Sequence, residues 1–401
     1  MTRILILSDL HAYSPSDKAA REPSFLLASS KEGATNPIRT IPDILKQEGL
    51  LVDWILCPGD IADQADPDAQ TFAWQELVEL KKAVKAKLLL STAGNHDVDS
   101  RLKFSNYDPK GHLQGLEPPF PGIKTAADKY WARNYHIHEQ GSVRLVNLNS
   151  AAFHGFHSQE QGSISEYRHG RVSTRTIDAI VEEIGRKKFQ TNILFTHHHP
   201  YRNDAIYEDD YSEMQFGGKL VAALTEATSS SWLIIHGHQH YPQVSYGPDV
   251  TFPPLIFSAG SISAKIASPM SAEAPNQFYH ITLETDSTRT NGWWPCGKIR
   301  AWSWVHRREW QSTPDGQNIP DGLGFGCRDN VLSLTNVIRD YVSAHDNYVT
   351  MQQISGAHPH LQFVNRKIFE EVFRQLRQHS IRCTVAVPFT DTQFRKDGVA
   401  G

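Results

Sequence analysis

The chain has 401 residues, of which 39% are hydrophobic and 21% are charged, and its formal net charge at pH 7 is -4. This composition is ordinary for a globular protein, and so small a negative charge gives no bulk attraction to nucleic acid or to anionic membranes. No apolar stretch approaches the ~20 residues that a membrane helix needs, so we expect no membrane partner. Four scattered cysteines without a C-x-x-C pair indicate reduced thiols.

The N-terminal segment is an apolar run, Ile4-Leu5-Ile6-Leu7, which ends at Ser8-Asp9. The run is too short for the hydrophobic region of a secretory signal. Cleavage of a leader here would also remove Asp9, which belongs to a motif described below. We therefore expect a cytoplasmic protein.

The first half of the chain alternates strand and helix signals. Apolar runs at 4–7, 54–57 and 88–90 are bounded by turn residues, which is typical of buried parallel strands. Between them, residues 38–47 and 69–86 carry apolar side chains at helical spacing. Polar residues follow the carboxyl end of each run, where open α/β sheets bind their ligands. The pattern therefore predicts a functional site at that edge of the sheet.

Residues 98–133 interrupt this alternation, because they are rich in Pro, Gly, Lys and Asp. Long loops are uncommon in compact domains unless they are functional or disordered. Since the segment directly follows Asp97, we interpret it either as a loop that walls an active-site cleft or as a passive surface insertion.

The second half of the chain repeats the arrangement of the first. Strand signals lie at 134–138, 143–149, 192–195, 232–235, 255–260 and 278–283, helix signals at 174–186 and 219–227, and alternating apolar residues at 299–305. The sequence therefore predicts an α/β sandwich of two mixed β-sheets, packed face to face and flanked by helices, with the site at the carboxyl ends of the strands.

The C-terminal part has a different composition. Glycine and proline are frequent in 313–326, which indicates a linker. The predicted organisation is a catalytic domain at 1–312, this linker, and a small α/β accessory region of unknown role at 327–401. Within that region we expect helices at 331–344 and 366–379 and a strand at 381–388.

Six short polar segments occur in a fixed order along the chain. They are Asp9-Leu10-His11, Gly59-Asp60, Gly94-Asn95-His96-Asp97, Asn149-Ser150, His198-His199-Pro200 and Gly237-His238-Gln239-His240. Any one of them could arise by chance, whereas the ordered set is specific. Apart from the accessory Asn149-Ser150, they resemble the D-x-H, GD, GNH[DE], H-x-P and GHxH pattern of the calcineurin-like metallophosphoesterases. The resemblance covers roughly residues 1–310.

The resemblance implies a site with two metal ions, and the mixture of carboxylate, amide and imidazole ligands suits Mn, Fe or Zn without choosing among them. Asp60 would bridge both ions, because a carboxylate has two oxygens. The H-x-P pattern selects His198, two residues before Pro200, with His197 as the alternative ligand. The complete implied ligand set is Asp9, His11, Asp60, Asn95, His198, His238 and His240.

The histidine of the GNH[DE] motif has a different role in this family. It is not a metal ligand, but it stabilises the transition state and can protonate the leaving oxygen. The resemblance therefore assigns catalysis to His96, and we expect Asp97 to fix the tautomer of His96 and to raise its basicity. No substrate-binding residue can be read from the sequence.

These implications describe a metal-dependent phosphoric ester hydrolase, in which a hydroxide bridging the two metals attacks phosphorus. Similarity to the cyclic-nucleotide and glycerophosphodiester phosphodiesterases favours a small-molecule phosphodiester as substrate. The alternatives are a phosphomonoesterase, a DNA nuclease with the same motifs, and a non-catalytic scaffold on the same fold. The mild negative charge does not favour nucleic acid as a partner, and a scaffold would have lost ligands. A homo-oligomer is compatible with the sequence.

Overall fold

Strands and helices are interspersed up to residue 258, and a strand-rich segment and a helical C-terminal region follow. The computed structural model describes residues 1–15, 22–31, 36–155, 166–202, 212–249, 251–266, 274–305, 309–386 and 389–396. These residues divide into two units. One unit contains Thr2–Ile281 and Ala301–Asp321, and the other contains Met1, Thr282–Arg300 and the residues from Gly322 onward.

The regular elements are numbered in chain order. The strands are β1 (Thr2–Ile6), β2 (Trp54–Cys57), β3 (Leu88–Ser91), β4 (Tyr135–Gln140), β5 (Val143–Leu148), β6 (Thr191–Phe195), β7 (Trp232–His236), β8 (Gln243–Tyr246), β9 (Leu255–Ser258), β10 (Gln277–Leu283), β11 (Gly297–Val305), β12 (Glu309–Ser312), β13 (Leu323–Phe325), β14 (Val349–Thr350), β15 (Ile381–Thr384) and β16 (Gln393–Lys396). The helices are α1 (Ile41–Gln47), α2 (Pro67–Ala83), α3 (Gly111–Gln114), α4 (Lys124–Arg133), α5 (Thr174–Ile184), α6 (Gly217–Thr228), α7 (Ser287–Thr290), α8 (Val331–Ser343), α9 (Met351–Ala357) and α10 (Arg366–Gln378).

Two mixed sheets form the framework, which confirms the predicted fold class. The first has the strand order β12-β11-β10-β1-β2-β3, with β13 paired to β11. The second has the order β4-β5-β6-β7-β9-β8, in which β5, β6, β7 and β9 are parallel. Strands β2, β3, β6 and β7 are fully buried, as their continuous apolar runs predict.

Side chains between the two sheets hold them face to face. The Asn147 amide of β5 donates to the Ser91 carbonyl of β3 (2.8 Å), and the Trp54 indole of β2 donates to Gln140 of β4 (2.9 Å). Next to β3, the Thr92 hydroxyl donates to the Leu148 carbonyl of β5 (2.7 Å). These bonds satisfy buried polar groups that would otherwise oppose the packing of the sheets.

The helices begin where their sequences provide caps. Asp66 precedes α2 and accepts a hydrogen bond from the Ala69 N–H (3.0 Å), with Pro67 at the first helical position. Ser173 caps α5 in the same way through the Thr176 N–H (3.2 Å). The apolar faces of α1 and α2 join the core of the first sheet, and those of α5 and α6 join the core of the second.

The interruption at 98–133 contains more regular structure than the sequence predicted. Helix α4 occupies Lys124–Arg133, and the interpretation of the whole segment as a loop was wrong there. The surrounding prolines hid a short helix whose buried side is small, with Ala127 and Tyr130 as its buried residues. The Tyr130 hydroxyl accepts a hydrogen bond from the Ala93 N–H (2.8 Å), so α4 supports the turn that follows β3.

The C-terminal unit contains α7 to α10, parts of β10 and β11, and the strands β13, β14, β15 and β16. The predicted helices at 331–344 and 366–379 correspond to α8 and α10. The core of this unit joins Cys296 and Cys327 to apolar residues of these helices. Residues 313–326, interpreted from composition as a linker, contain β13, which pairs with β11 through Ile299↔Leu323. Glycine and proline mark turns, and composition does not tell a linker from turns that flank a strand. No described helix is long and apolar enough to cross a membrane.

The pairing of β13 with β11 predicts the effect of truncation. A chain that ends at Ser312 lacks β13 and most of the core around Cys296, a residue that is 1% exposed in the full chain. The remaining strand edge and apolar surface favour aggregation. We expect this truncated chain to unfold at a lower temperature than the full chain and to scatter more light. A chain that ends at Lys396 is the control, and equal melting temperatures for all three chains would contradict the prediction.

Candidate metal centre

The candidate ligands lie in turns at the carboxyl ends of five parallel strands from the two sheets. Each side chain follows its strand within a few residues, so the packing of the sheets brings distant parts of the sequence together. Asp9 and His11 follow β1, Asp60 follows β2, Asn95 and His96 follow β3, His197 follows β6, and His238 and His240 follow β7.

One group of ligand atoms is formed by the first and last motifs. His11 Nε2 lies 3.0 Å from His240 Nε2, and His240 Nε2 lies 3.3 Å from Asp9 Oδ1. His11 Nε2 is also 3.7 Å from Asp60 Oδ2. Atoms so close to one another can bind a common cation, and Asp9, His11 and His240 form one candidate metal group.

A second group lies on the other side of Asp60. His197 Nε2 is 3.0 Å from Asn95 Oδ1 and 3.4 Å from Asp60 Oδ2. His238 Nδ1 is 2.9 Å from Asn95 Oδ1 and 3.2 Å from His197 Nε2. Because Asp60 Oδ2 is close to both groups, its carboxylate is placed to bridge two ions.

The tautomer of His197 tests whether these residues fit a cation. Its Nδ1 lies 2.7 Å from the Pro58 carbonyl oxygen, which can only accept, so Nδ1 carries the proton. In the neutral ring, Nε2 then presents a lone pair toward Asn95 Oδ1 and Asp60 Oδ2, which are also acceptors. Three acceptors that converge in this way repel one another unless a cation, or a proton on His238 Nδ1, lies between them. The donor set of nitrogen and oxygen atoms fits Mn, Fe or Zn.

His198 lies close to the second group, because ligand atoms of His197, His198 and His238 all lie within 4.8 Å of one another. Its Nδ1 lies 2.8 Å from the Ser150 hydroxyl, and His197, not His198, places a nitrogen beside Asn95 and Asp60. The His198 ring contacts those of His197 and His238, with centroids 4.8 and 4.6 Å apart. The choice of His198 from the H-x-P spacing stays a prediction, and the position of His197 beside Asn95 and Asp60 favours the alternative that the sequence left open.

Five ligand residues have left-handed backbone conformations. The φ angles are 51° at Asp9, 46° at His11, 51° at Asp60, 73° at His238 and 53° at His240. Each costs on the order of 1 kcal/mol in a residue with a Cβ. Hydrogen bonds hold the strained turns in place, because the His11 N–H donates to the Asp60 carbonyl (2.9 Å) and the His238 N–H to Asp9 Oδ1 (3.0 Å).

Two motif glycines are required by close approach. A Cβ at Gly94 would collide with the Asp60 carboxylate and backbone nitrogen, and a Cβ at Gly237 would collide with Ser8 Oγ and Asp9 Oδ2. Without a Cβ, Gly94 lets the turn after β3 approach the Asp60 carboxylate, and Gly237 lets the turn after β7 approach the Asp9 carboxylate.

Asp97 does not contact the His96 ring as the sequence predicted. Its carboxylate accepts hydrogen bonds from the backbone N–H groups of Asp60 (2.8 Å), Ile61 (2.8 Å) and Gly94 (2.9 Å). The partner of His96 is Asp63, whose Oδ1 lies 2.9 Å from His96 Nδ1. Asp63 was not predicted from the sequence, although it lies three residues after Asp60 in the same turn. The side chain of Asp97 points into the protein because buried N–H groups there require an acceptor.

The charges around the site set its protonation. Burial lowers the pKa values of His11 and His238 well below the ordinary value, and neighbouring histidines contribute, so both rings are neutral as metal ligands must be. Burial also opposes ionisation of Asp9, but attraction to His240, His197 and His11 outweighs it and lowers the Asp9 pKa. The pKa of His96 shifts in the opposite direction to those of His11 and His238. Burial alone would lower its pKa, but Asp60, Asp63 and Asp97 raise it to about 9.

A cavity opens beside His96, whose side chain is 34% exposed. Asn95, His96 and Tyr167 line it together with residues 98–101 and Lys103. The Asp99 carboxylate accepts from the N–H groups of Lys103 (2.8 Å) and Ser105 (3.0 Å), which fixes this turn. The start of the 98–133 segment therefore walls the cleft, as one of the two interpretations predicted.

Comparison with known proteins agrees with this geometry. A family profile described as calcineurin-like phosphoesterase matches residues 2–242, which is more than half of the chain. The chain belongs to the calcineurin-like phosphoesterases. Membership in this family and the candidate metal groups together support a metal-dependent phosphoester hydrolase with a dinuclear site. No curated protein matches the chain.

Solved structures similar to this phosphoesterase have low sequence identity. A purple acid phosphatase from yellow lupin (Lupinus luteus) seeds is 12% identical with a TM-score of 0.47, over 77% of this chain and 52% of that chain. The NAD nucleotidase of Haemophilus influenzae is 11% identical with a TM-score of 0.37, over 77% and 53%. A phosphopantetheinyl hydrolase from Mycobacterium tuberculosis is 14% identical with a TM-score of 0.32, over 65% and 90%. The chain thus spans about half the length of the first two proteins.

The two adjacent histidines after β6 can be compared directly. His197→Ala removes the nitrogen that faces Asn95 and Asp60, so we expect the purified phosphoesterase to lose about half of its bound metal. His198→Ala removes a ring bonded to Ser150, and we expect metal content close to that of the unaltered protein. Metal is measured by inductively coupled plasma mass spectrometry. The assignment of His197 fails if His198→Ala loses the metal and His197→Ala does not.

The contact of His96 with Asp63 predicts a titration. In metal-free protein, we expect the His96 ring to titrate near its raised pKa of about 9. Asp63→Asn removes a hydrogen-bonded negative charge, so the imidazolium is less stable and the pKa falls. NMR of the ring C–H signals measures the change, and Asp68→Asn at an exposed position of α2 is the control. An unchanged His96 pKa in Asp63→Asn would contradict the geometry.

Proposed function

We propose that this protein hydrolyses a small-molecule phosphodiester at a centre of two metal ions. Asp9, His11 and His240 would hold the first ion, Asn95, His197 and His238 the second, and Asp60 both. Such ions supply a water of lowered pKa and neutralise the phosphoryl oxygens when bound. The observation that carries the proposal is the position of His96, bonded to Asp63 and 34% exposed, at the open edge of this ligand cluster.

His96 is arranged to act as a general acid. Its Nδ1 is engaged by the Asp63 carboxylate, so Nε2 is the nitrogen left to donate a proton. The ring packs edge-on against the His11 ring, with centroids 4.7 Å apart, which places it next to the ligands. The Asp63 carboxylate at 2.9 Å stabilises the charged ring, so His96 can hold a proton and deliver it to the leaving oxygen.

The cavity beside His96 is the natural place for the leaving group. Arg101 and Lys103 bring positive charge to its wall, and Tyr167 provides an aromatic face that lies 5.7 Å from the Arg101 guanidinium carbon. We propose that a diester fits better than a monoester, because a second esterified group can occupy this cavity. The cations favour a leaving group that itself carries negative charge.

The same site bears on the scaffold alternative and on which of the two units is catalytic. A non-catalytic scaffold is disfavoured, because the ligand turns keep their carboxylates and imidazoles. We propose that the unit of Thr2–Ile281 and Ala301–Asp321 is the catalytic one, since it contains all the candidate ligands. The cytoplasmic location stays a prediction from the sequence.

A paired hydrolysis assay tests the proposal. We expect the protein with added Mn²⁺ to hydrolyse bis(p-nitrophenyl) phosphate faster than p-nitrophenyl phosphate, and chelation to abolish both activities. Cyclic nucleotides and single-stranded DNA are then assayed as natural diesters. A clear preference for the monoester would show a phosphomonoesterase instead.

The role of His96 predicts a dependence on the leaving group. His96→Ala should keep its metals but lose ~10²-fold or more in turnover of a diester with a poor leaving group, the usual scale for a general acid. The loss should be small for p-nitrophenolate, which leaves without protonation. Metal content is measured on the same sample. Equal losses for both substrates would argue against an acid, and loss of metal would make His96 a ligand.

A further inference from the structure

The C-terminal unit has a topology that the metal centre does not explain. From α8 onward the order is α8, β14, α9, α10, β15 and β16, that is helix, strand, helix, helix, strand and strand. The three strands form an antiparallel sheet with the order β14-β16-β15, so the last strand lies between the other two. This order and connectivity are those of a winged helix-turn-helix, with α10 as the second helix of the helix-turn-helix and β15–β16 as the wing.

One side of α10 is committed to the core of this unit. Phe369, Val372, Phe373 and Leu376 are buried. The Phe373 ring lies 5.7 Å from that of Phe394 on β16, which ties the hairpin to the helix. The opposite side of α10 faces solvent, and Lys367, Arg374 and Arg377 are exposed there.

This part of the chain is positively charged, although the whole chain is not. Residues 366–396 contain seven Lys and Arg residues and three Asp and Glu residues, whereas the complete chain has a net charge of -4. The guanidinium of Arg366 lies 4.6 Å from the Phe389 ring, which places a cation where the wing meets the start of α10. Arg374 Nε donates a hydrogen bond to the Glu371 carboxylate (2.9 Å).

The wing has a second feature that suits an anion. Arg382 and Arg395 stand directly opposite each other in the β15–β16 ladder, on the face away from Phe394. Tyr348 supports Arg395, because its ring lies 4.9 Å from the guanidinium carbon and its hydroxyl accepts from Nη1 (3.3 Å). Two cations on one face of the wing suit a bound polyanion.

We propose that this winged helix-turn-helix unit binds double-stranded DNA, with α10 in the major groove and the wing beside the phosphate backbone. The B-form major groove is about 12 Å wide and admits an α-helix, and in helix-turn-helix proteins the second helix enters it. Duplex RNA has a deep, narrow major groove that does not admit such a helix. The exposed arginines of α10 and the cations of the wing supply the contacts to phosphate that dominate affinity.

Binding of the full-length protein to a 30-base-pair DNA of mixed sequence tests this proposal. Fluorescence anisotropy is measured between about 50 and 200 mM salt, because phosphate contacts make affinity fall steeply with salt. The variant Arg374→Gln/Arg377→Gln should bind at least roughly tenfold more weakly at low salt, with a salt slope smaller by about 2. Arg186→Gln/Lys188→Gln, which removes two exposed cations of the other unit, should bind as the unaltered protein does.

Several outcomes would overturn the proposal. They are absence of binding at low salt, equal weakening in both double variants, and tighter binding of duplex RNA or of an acidic polypeptide than of DNA. Circular dichroism and thermal unfolding of each variant separate a local loss of contacts from loss of the fold. If Arg374→Gln/Arg377→Gln proves unstable, Lys367→Gln with Arg382→Gln provides the second test on the same surface.

The proposal is independent of the proposed hydrolysis. Turnover of bis(p-nitrophenyl) phosphate should be the same in the Arg374→Gln/Arg377→Gln variant as in the unaltered protein, because neither arginine belongs to the metal centre. A denaturing gel after each titration shows whether the DNA has been cut. Binding without hydrolysis would support this unit as a DNA-binding module and refute a nuclease, and hydrolysis of the small diester without binding would refute the DNA-binding unit alone.

Discussion

The carboxylate of Asp97 is the contact on which the geometry of the metal centre depends. It accepts from the N–H groups of Asp60 and Ile61 on the turn after β2 and from Gly94 on the turn after β3. One buried side chain therefore joins the turn that carries the bridging carboxylate to the turn that carries Asn95 and His96. Burial and the charge of Asp60 raise the pKa of Asp97 to about 7, and the N–H donors oppose that shift by favouring the ionised form.

The centre is costly to assemble without cations. Lone pairs of His197, Asn95 and Asp60 face one another at 3.0 to 3.4 Å, and five ligand residues have left-handed backbones. The fold tolerates this because the two sheets beneath the turns are continuously buried and because backbone bonds fix the turns to one another. The same rigidity places His96 next to the ligands yet leaves it open to the cavity, so the proposed mechanism gives metal binding and proton transfer to different histidines.

The chain combines two kinds of surface that bulk composition hides. Acidic and imidazole side chains converge at the metal centre, while cationic side chains collect on α10 and the β15–β16 hairpin. The net charge of the chain is the sum of these two oppositely charged groups of side chains, so it describes neither surface. Elements with strong local signals were predictable, including the parallel strands and the helices α5, α8 and α10. Helix α4 and strand β13 were not, because prolines and glycines around them outweigh a few buried residues.

The sequence by itself determined the family, the α/β sandwich and the residue types of the centre. The reason is that each motif directly follows an apolar run, so its side chains must lie in the turn at the end of a buried strand. Only the tertiary structure decided which of three consecutive histidines faces Asp60, since the direction of a side chain in a turn depends on backbone angles and on contacts such as that with the Pro58 carbonyl. It also decided that His96 pairs with Asp63, 33 residues away, instead of its neighbour Asp97. Spacing along a chain does not encode such contacts, because they arise when separate turns are packed against one another.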